Sequence, residues 1–445
     1  MTRRLTSPVS RLPRLRYFAV TRRLFSYRTL LFILLFLNSA CLFLTDNKKA
    51  GLPYLREMFI VAIVLSALTL LLVWKRAHQS RAAFWVVCFG LVLPLLSAFL
   101  ANAKFGQPIL FGVLEERRSF LYLLFFPALY LMIKARPTQD ELERFFLVSG
   151  LACVLIGYLY YLGVIPENND VAFTVDEKDY GLNPLRPNRF SVGAAYVSVC
   201  AYMLMYRLRR DYSLASVALL LLFASYLWLV LQTRNTMLVW ALAGMWIFRS
   251  RLGVLLKSGV AVIAIVAVAY FIVPDFFADQ YERFNALLFE ATSEGGVRAT
   301  TSDIVLTEIR QNYYIGMGAL SLQWQNGFAR LYSAYFYLSD VGLLGVLYRF
   351  GLLTPIIALF YYFGYWRIMR QCRRKGDLLS ALQLDFMLNA LNFFLSTSIM
   401  YGGDLAGLAI AAFVYFARVT VADSDARQQP FATERIYRRP LQPHR

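Results

Sequence analysis

Histidine is nearly missing from this chain: His78 and His444 are the only two in 445 residues. One lies in a short basic connection and the other beside the C-terminus, so no histidine base or histidine metal site is expected. Cysteine is scarce as well. Cys41, Cys88, Cys153 and Cys200 fall in apolar stretches and Cys372 in a basic loop, with no Cys-x-x-Cys spacing, which argues against a disulfide framework, redox chemistry and structural zinc. Charge is thin, at 16% of residues against about 25% in soluble domains. The phosphate-binding loop, the G-x-G-x-x-G fingerprint, H-E-x-x-H and the G-x-S-x-G elbow are all absent, which excludes the soluble enzyme classes built on them.

What is abundant is apolar surface. Hydrophobic residues make up 59% of the chain, including 36 Phe and 28 Tyr, too much for a solvated disordered polymer or an ordinary globular domain. Apolar windows near the roughly 20 residues that cross a bilayer occur at 29–45, 57–74, 82–101, 118–133, 145–165, 190–206, 213–231, 236–248, 258–273, 341–366, 378–398 and 404–421. The expected fold is therefore an all-α polytopic membrane protein of about twelve transmembrane helices.

The net charge of +19 would suggest nucleic acid in a soluble protein, but here its distribution sets orientation. Residues 1–28 carry eight Arg and no acid. With the alternate connections and the segment after 418, they gather 31 of the 46 basic residues on one side, while most of the 27 acids lie on the other. That predicts cytoplasmic N- and C-termini, tails at 1–28 and 422–445, a membrane domain at 29–421, and no nucleic-acid partner. Two outward loops are long, 166–189 and 274–340, the second between the ninth and tenth spans. In the larger one, Phe277, Tyr281, Phe284 and Leu288 form an amphipathic stripe suited to a membrane surface. After the break at 293–296, a second helix over 297–311 places Asp303, Thr307 and Arg310 on one face.

Only eight of the 46 basic residues are Lys, and the outward segments hold Arg117, Arg118, Arg186, Arg189, Arg234, Arg283, Arg298, Arg310 and Arg330. Several guanidinium groups around one outward cavity suit a diphosphate, which they bind through paired hydrogen bonds. Each Arg has an alternative role, snorkelling to lipid headgroups, above all Arg117, Arg118 and Arg283. Arg234 stands between two apolar spans, where an unpartnered charge is costly. Asp303 and Asp340 are candidates for a general base or for structural partners of an Arg. Asp385 and Asp404, in or beside late spans, are open to both readings too.

Four segments carry a resemblance: LRPNRFSVGAAYVS at 185–198, QTRNTMLVWALAG at 232–244, GGVRATTSDIVLTEIRQNYYIGMGALS at 295–321 and YLSDVGLLGVL at 337–347. In order and placement they resemble the bacterial O-antigen ligase and Wzy-type O-antigen polymerase superfamily, multi-pass inner-membrane proteins that transfer lipid-linked glycans on the periplasmic face. The resemblance implies an undecaprenyl-diphosphate-linked oligosaccharide as substrate, with a flippase and a chain-length regulator of the same pathway as partners. For such a transfer, the charge that grows on the leaving diphosphate makes Arg234, Arg298 and Arg310 the expected catalytic clamp, with Asp340 or Asp303 as base. Arg186, Asn188, Arg189, Gly316, Gly318 and Arg330 become substrate contacts. No cofactor or metal is expected. Ligase relatives carry a His-Asn pair where this chain has Leu331-Tyr332, which favours polymerase over ligase. A lipid-linked oligosaccharide flippase is the other alternative, although the internal repeat expected of a transporter is not visible.

Overall fold

The computed structural model describes residues 26–39, 58–79, 81–165, 193–275, 277–279, 281–282, 297–321, 323–332, 336–372, 376–395 and 399–428. Among these, all regular structure is helical apart from one isolated bridge between Ile315 and Gly351. Helices satisfy every backbone group within the segment, which long apolar runs require away from water. The first eight are α1 (Tyr27–Asn38), α2 (Met58–Gln79), α3 (Ala82–Phe105), α4 (Ile109–Glu115), α5 (Ser119–Ala135), α6 (Gln139–Tyr161), α7 (Ala194–Arg210) and α8 (Leu214–Leu231). There follow α9 (Arg234–Phe248), α10 (Leu252–Ile272), α11 (Val297–Gln311), α12 (Gly327–Leu331), α13 (Leu343–Phe350), α14 (Thr354–Gln371), α15 (Asp377–Leu395) and α16 (Gly403–Gln428).

Three of them, α3, α6 and α8, are long and apolar enough to cross a membrane. The pair α4 and α5, bent by 67° at the break between them, makes a fourth if it is one span. Two details differ from the sequence expectation. Helix α4 was not expected, because seven residues between Pro108 and the break are too few to register as a span. The single span expected at 341–366 is two helices. Gly351 takes a positive φ of 56°, where an added Cβ would lie 2.1 Å from the Tyr314 carbonyl oxygen, and Pro355 in the first turn of α14 restarts the helix in a new direction. The aromatic stripe expected at 277–288 lies largely outside the described residues.

The centre of the bundle is α5, α7, α15 and α16. Helix α16 lies almost backbone to backbone on α5. A Cβ at Gly403 would come within 2.6 Å of the Arg118 carbonyl oxygen, and one at Gly407 within 2.7 Å of that of Tyr122. This is the small-x-x-x-small device by which membrane helices gain close packing without a hydrophobic driving force. The hydroxyls of Ser119 and Tyr122 donate to the carbonyls of Met400 (2.6 Å) and Ile399 (2.7 Å), fixing the chain that leads into α16. Trp85 of α3 is fully buried beside Phe89 and Tyr361, its indole N–H shared between the carbonyls of Phe360 and Tyr361 at 3.2 and 3.3 Å.

Charges collect at the helix ends. Arg28 pairs with Glu141 (2.9 Å), Arg207 with Glu143 (3.2 Å) and Arg210 with Asp377 (3.2 Å), while Arg251 donates to the Arg209 carbonyl at 2.6 Å. Burial pushes the Asp377 carboxyl above its ordinary range, opposed by Arg210 and Arg207. The exposed Arg28–Glu141 pair adds little stability, while Glu143 and Asp377 are buried carboxylates that their arginines hold at the protein surface. Here they tie together the ends of α1, α6, α7 and α15, all of them segments read from sequence as cytoplasmic.

The late segment forms a smaller cluster. Thr301, Val305 and Ile309 are the buried face of α11, packed on α13, and Phe328, Tyr332, Phe336 and Tyr348 stack beside them. The hydroxyls of Tyr332 and Tyr348 are 2.8 Å apart; burial pushes the Tyr332 phenol up to about 12, with the Tyr348 hydrogen bond pulling the other way.

Candidate functional site

A cavity of about 310 Å³ opens between α5, α7, α9, α14, α15 and α16. Helix α15 supplies its polar wall: Asp385, Asn389 and Asn392 recur at i, i+4 and i+7, so they stand in one row along the helix. Asp385 is 8% exposed. Facing that row are Tyr196, Ser198 and Tyr202 of α7 and Tyr361 and Tyr365 of α14. Two of these side chains are held from behind, Ser198 by the Trp240 indole N–H at 3.0 Å and Tyr196 by the Asn38 amide at 3.1 Å.

Arg118 reaches the cavity from the break between α4 and α5. Three helices also begin there, since Gly193 and Ala194 open α7, Thr236 is in the first turn of α9, and Gly402 and Leu405 bracket the start of α16. Helix N-termini carry unsatisfied N–H groups and about half a positive charge each. A guanidinium and three such termini make that wall anion-attracting, while the carboxylate among the described lining residues, Asp385, lies on α15 about two turns in from Asn392. At the rim, the Asn235 amide donates to the Asn392 side-chain oxygen at 2.6 Å and joins α9 to α15.

A buried ion pair sets the break that carries Arg118. The Arg349 Nε donates to Glu116 Oε1 at 2.7 Å, with both side chains 1% exposed. The Ser97 hydroxyl donates to the same oxygen at 2.8 Å, and an Arg349 Nη donates to the Gly345 carbonyl at 3.3 Å. The pair pins α13 to the residue two before Arg118. Its other anchor is the 314–318 strip, where the Met317 and Gly318 amides donate to the carbonyls of Tyr348 (2.9 Å) and Arg349 (3.1 Å).

The residues singled out from sequence are dispersed around this architecture. Arg234 is the first residue of α9, next to rim residues Asn235 and Thr236; its side chain lies outside the described set. Arg298, Asp303 and Arg310 are exposed on α11, away from its buried face, and do not line the cavity. Asp340 is half-buried in the turn Leu338–Asp340, accepting a hydrogen bond from the Ser339 hydroxyl at 3.0 Å, also away from the cavity. Arg330 is exposed and donates to the Gln325 side chain. Gly316 and Gly318 are buried against backbone: a Cβ at Gly316 would lie 2.4 Å from the Arg349 carbonyl oxygen and one at Gly318 2.2 Å from that of Ser97. Close packing is the requirement these glycines meet. Arg186, Asn188 and Arg189 lie outside the described residues.

Sequence reasoning named Asp385 as open to a functional or a structural reading but did not join it with Asn389 and Asn392 into a row on α15. Its signal was present in LQLDFMLNALNFFL, where polar side chains interrupt an apolar window at near-helical spacing. Arg118, one of the outward arginines for which the sequence also allowed snorkelling, lines the cavity wall. Among the described residues, no group of three or more His, Cys, Asp or Glu side chains comes together to hold a metal ion. No protein-family model and no curated protein matches the chain.

Proposed function

We propose that the chain is a Wzy-like polysaccharide polymerase of the bacterial inner membrane, with twelve spans and both termini cytoplasmic. It would transfer an undecaprenyl-diphosphate-linked glycan to a sugar hydroxyl of a second lipid-linked repeat unit at the periplasmic face. The observation that carries this reading is the cavity in which Arg118 and three helix N-termini meet opposite the buried Asp385 carboxylate. In such a transfer the bond from the anomeric carbon to the diphosphate oxygen breaks, and the acceptor oxygen bonds to that carbon. Negative charge grows on the departing diphosphate, so fixed positive groups help most in the transition state. Arg118 supplies such a group at the cavity wall, Arg234, which opens α9, is the second candidate for the clamp, and Asp385 takes the acceptor hydroxyl proton. Exposed Arg298, Arg310 and Arg330, with Arg186, Asn188 and Arg189, guide the charged substrates from the outward surface. Asp303 and Asp340, away from the cavity, are weaker candidates for the base.

The test is complementation of a deletion host by Arg118→Ala, Arg234→Ala and Asp385→Asn chains that reach wild-type levels in the membrane. Each is expected to leave glycan capped at a single repeat. Full-length polymer from the Arg118 and Asp385 variants would refute the assignment of the cavity. Repeat units stranded on the cytoplasmic leaflet would indicate a flippase, and lipid A core with no repeat a ligase.

A further inference from the structure

The turn that follows α11 displays apolar side chains at a strained backbone. Tyr313 (φ 52°) and Tyr314 (φ 60°) both occupy the left-handed region, which bulky non-glycine residues rarely adopt. One local and one tertiary hydrogen bond hold them there: the Tyr314 amide donates to the Ile309 carbonyl at 2.8 Å at the end of α11, and the Leu352 amide to the Tyr314 carbonyl at 3.1 Å. The result of this geometry is outward display. Tyr313 is 84% exposed, Ile315 64% and Leu352 70%, with Tyr314 and Leu353 about half exposed. The Ile315–Gly351 bridge makes these five side chains one patch.

Two observations identify what covers it. The first is its level. Lys104, in the last turn of α3, donates to the Asn312 side chain, so the turn stands beside the end of a membrane-length helix. The 24 residues of α3 rise about 36 Å, enough to carry that end past a hydrocarbon core of roughly 30 Å. The second is continuity. Beyond Leu352 and Leu353, α14 exposes Ile356, Leu359 and Phe363 on one face, and α14 packs on α3 through Phe84 and Phe360, whose rings are 5.7 Å apart. Tyrosine hydroxyls above an aliphatic stripe match the layering of headgroups over acyl chains.

We propose that the Tyr313–Ile315 turn, with Leu352 and Leu353, is a membrane-interface wedge that inserts between lipid headgroups and upper acyl chains at that end of α3, anchoring the α11–α13 segment to the bilayer. The wedge rests on the membrane reading alone and is independent of the glycan chemistry. The test is spin labelling of Tyr313→Cys, Leu352→Cys and, as a solvent reference on the exposed face of α11, Thr307→Cys, in full-length protein reconstituted into phosphatidylcholine vesicles, with labelled wild-type protein setting the background. Collision rates with oxygen, which concentrates in lipid, and with a water-soluble nickel chelate are then compared. The oxygen-to-nickel ratio is expected to be severalfold higher at 313 and 352 than at 307. Ratios at 313 and 352 equal to that at 307 would overturn the wedge.

Discussion

Replacing Arg349 by Met removes one partner of a pair that is 1% exposed on both sides. Unit charges 2.7 Å apart attract by about 6 kcal/mol at an effective dielectric constant of about 20, and desolvation of the two ions cancels much of that. The intact pair therefore contributes little net stability. Arg349→Met leaves the Glu116 carboxylate buried with the Ser97 hydroxyl as its remaining donor, and uncompensated charge of this kind costs about 3–5 kcal/mol. Glu116→Gln combined with Arg349→Met removes both charges and is expected to recover most of that loss. The assay is SDS-induced unfolding of purified protein in mixed micelles, followed by far-ultraviolet circular dichroism, for wild type, both single variants and the double variant. A single-variant loss below about 1 kcal/mol, or a double variant equal to the sum of the singles, would refute the description of Glu116 and Arg349 as a coupled buried pair.

Two further outcomes follow from backbone contacts. Gly407→Ala puts a Cβ 2.7 Å from the Tyr122 carbonyl oxygen of α5 and is expected to cost about 1–3 kcal/mol in the same SDS titration, whereas Gly244→Ala, with open space around it, should fall near wild type. Gly318→Ala combines a φ of 74° with a contact of 2.2 Å to the Ser97 carbonyl oxygen. It should loosen the strip between α11 and α13, measured as faster limited proteolysis there while the Trp85 core stays protected; unchanged cleavage would show that the strip is not seated by this glycine.

The helical architecture was legible because apolar runs of membrane length have one dominant way to satisfy their backbone, and α11 appears at 297–311 as its periodicity predicts. The division of 341–366 was not, since Gly351 and Pro355 are punctuation that an apolar count ignores. The candidate site was legible only in outline. Counting outward arginines finds Arg118 and Arg234 together with Arg298 and Arg310, and nothing in their spacing says which face the cavity. Asp385 gained significance when α7 and α14 brought tyrosines opposite it, and the Glu116–Arg349 pair joins residues 233 apart, beyond any local pattern.

The close seating of α16 on α5 also bears on biosynthesis. Helix α5 leaves the ribosome well before α16, the last of the described helices to be made. Until Gly403 and Gly407 dock, the cavity lacks the wall formed by Leu405, Ala406 and Ala409, and the N-terminus of α16 is not in place beside Arg118. A nascent chain stalled before residue 403 would therefore hold most of the cavity's polar side chains in the membrane without enclosing them, so that the cavity is completed only once α16 has been made.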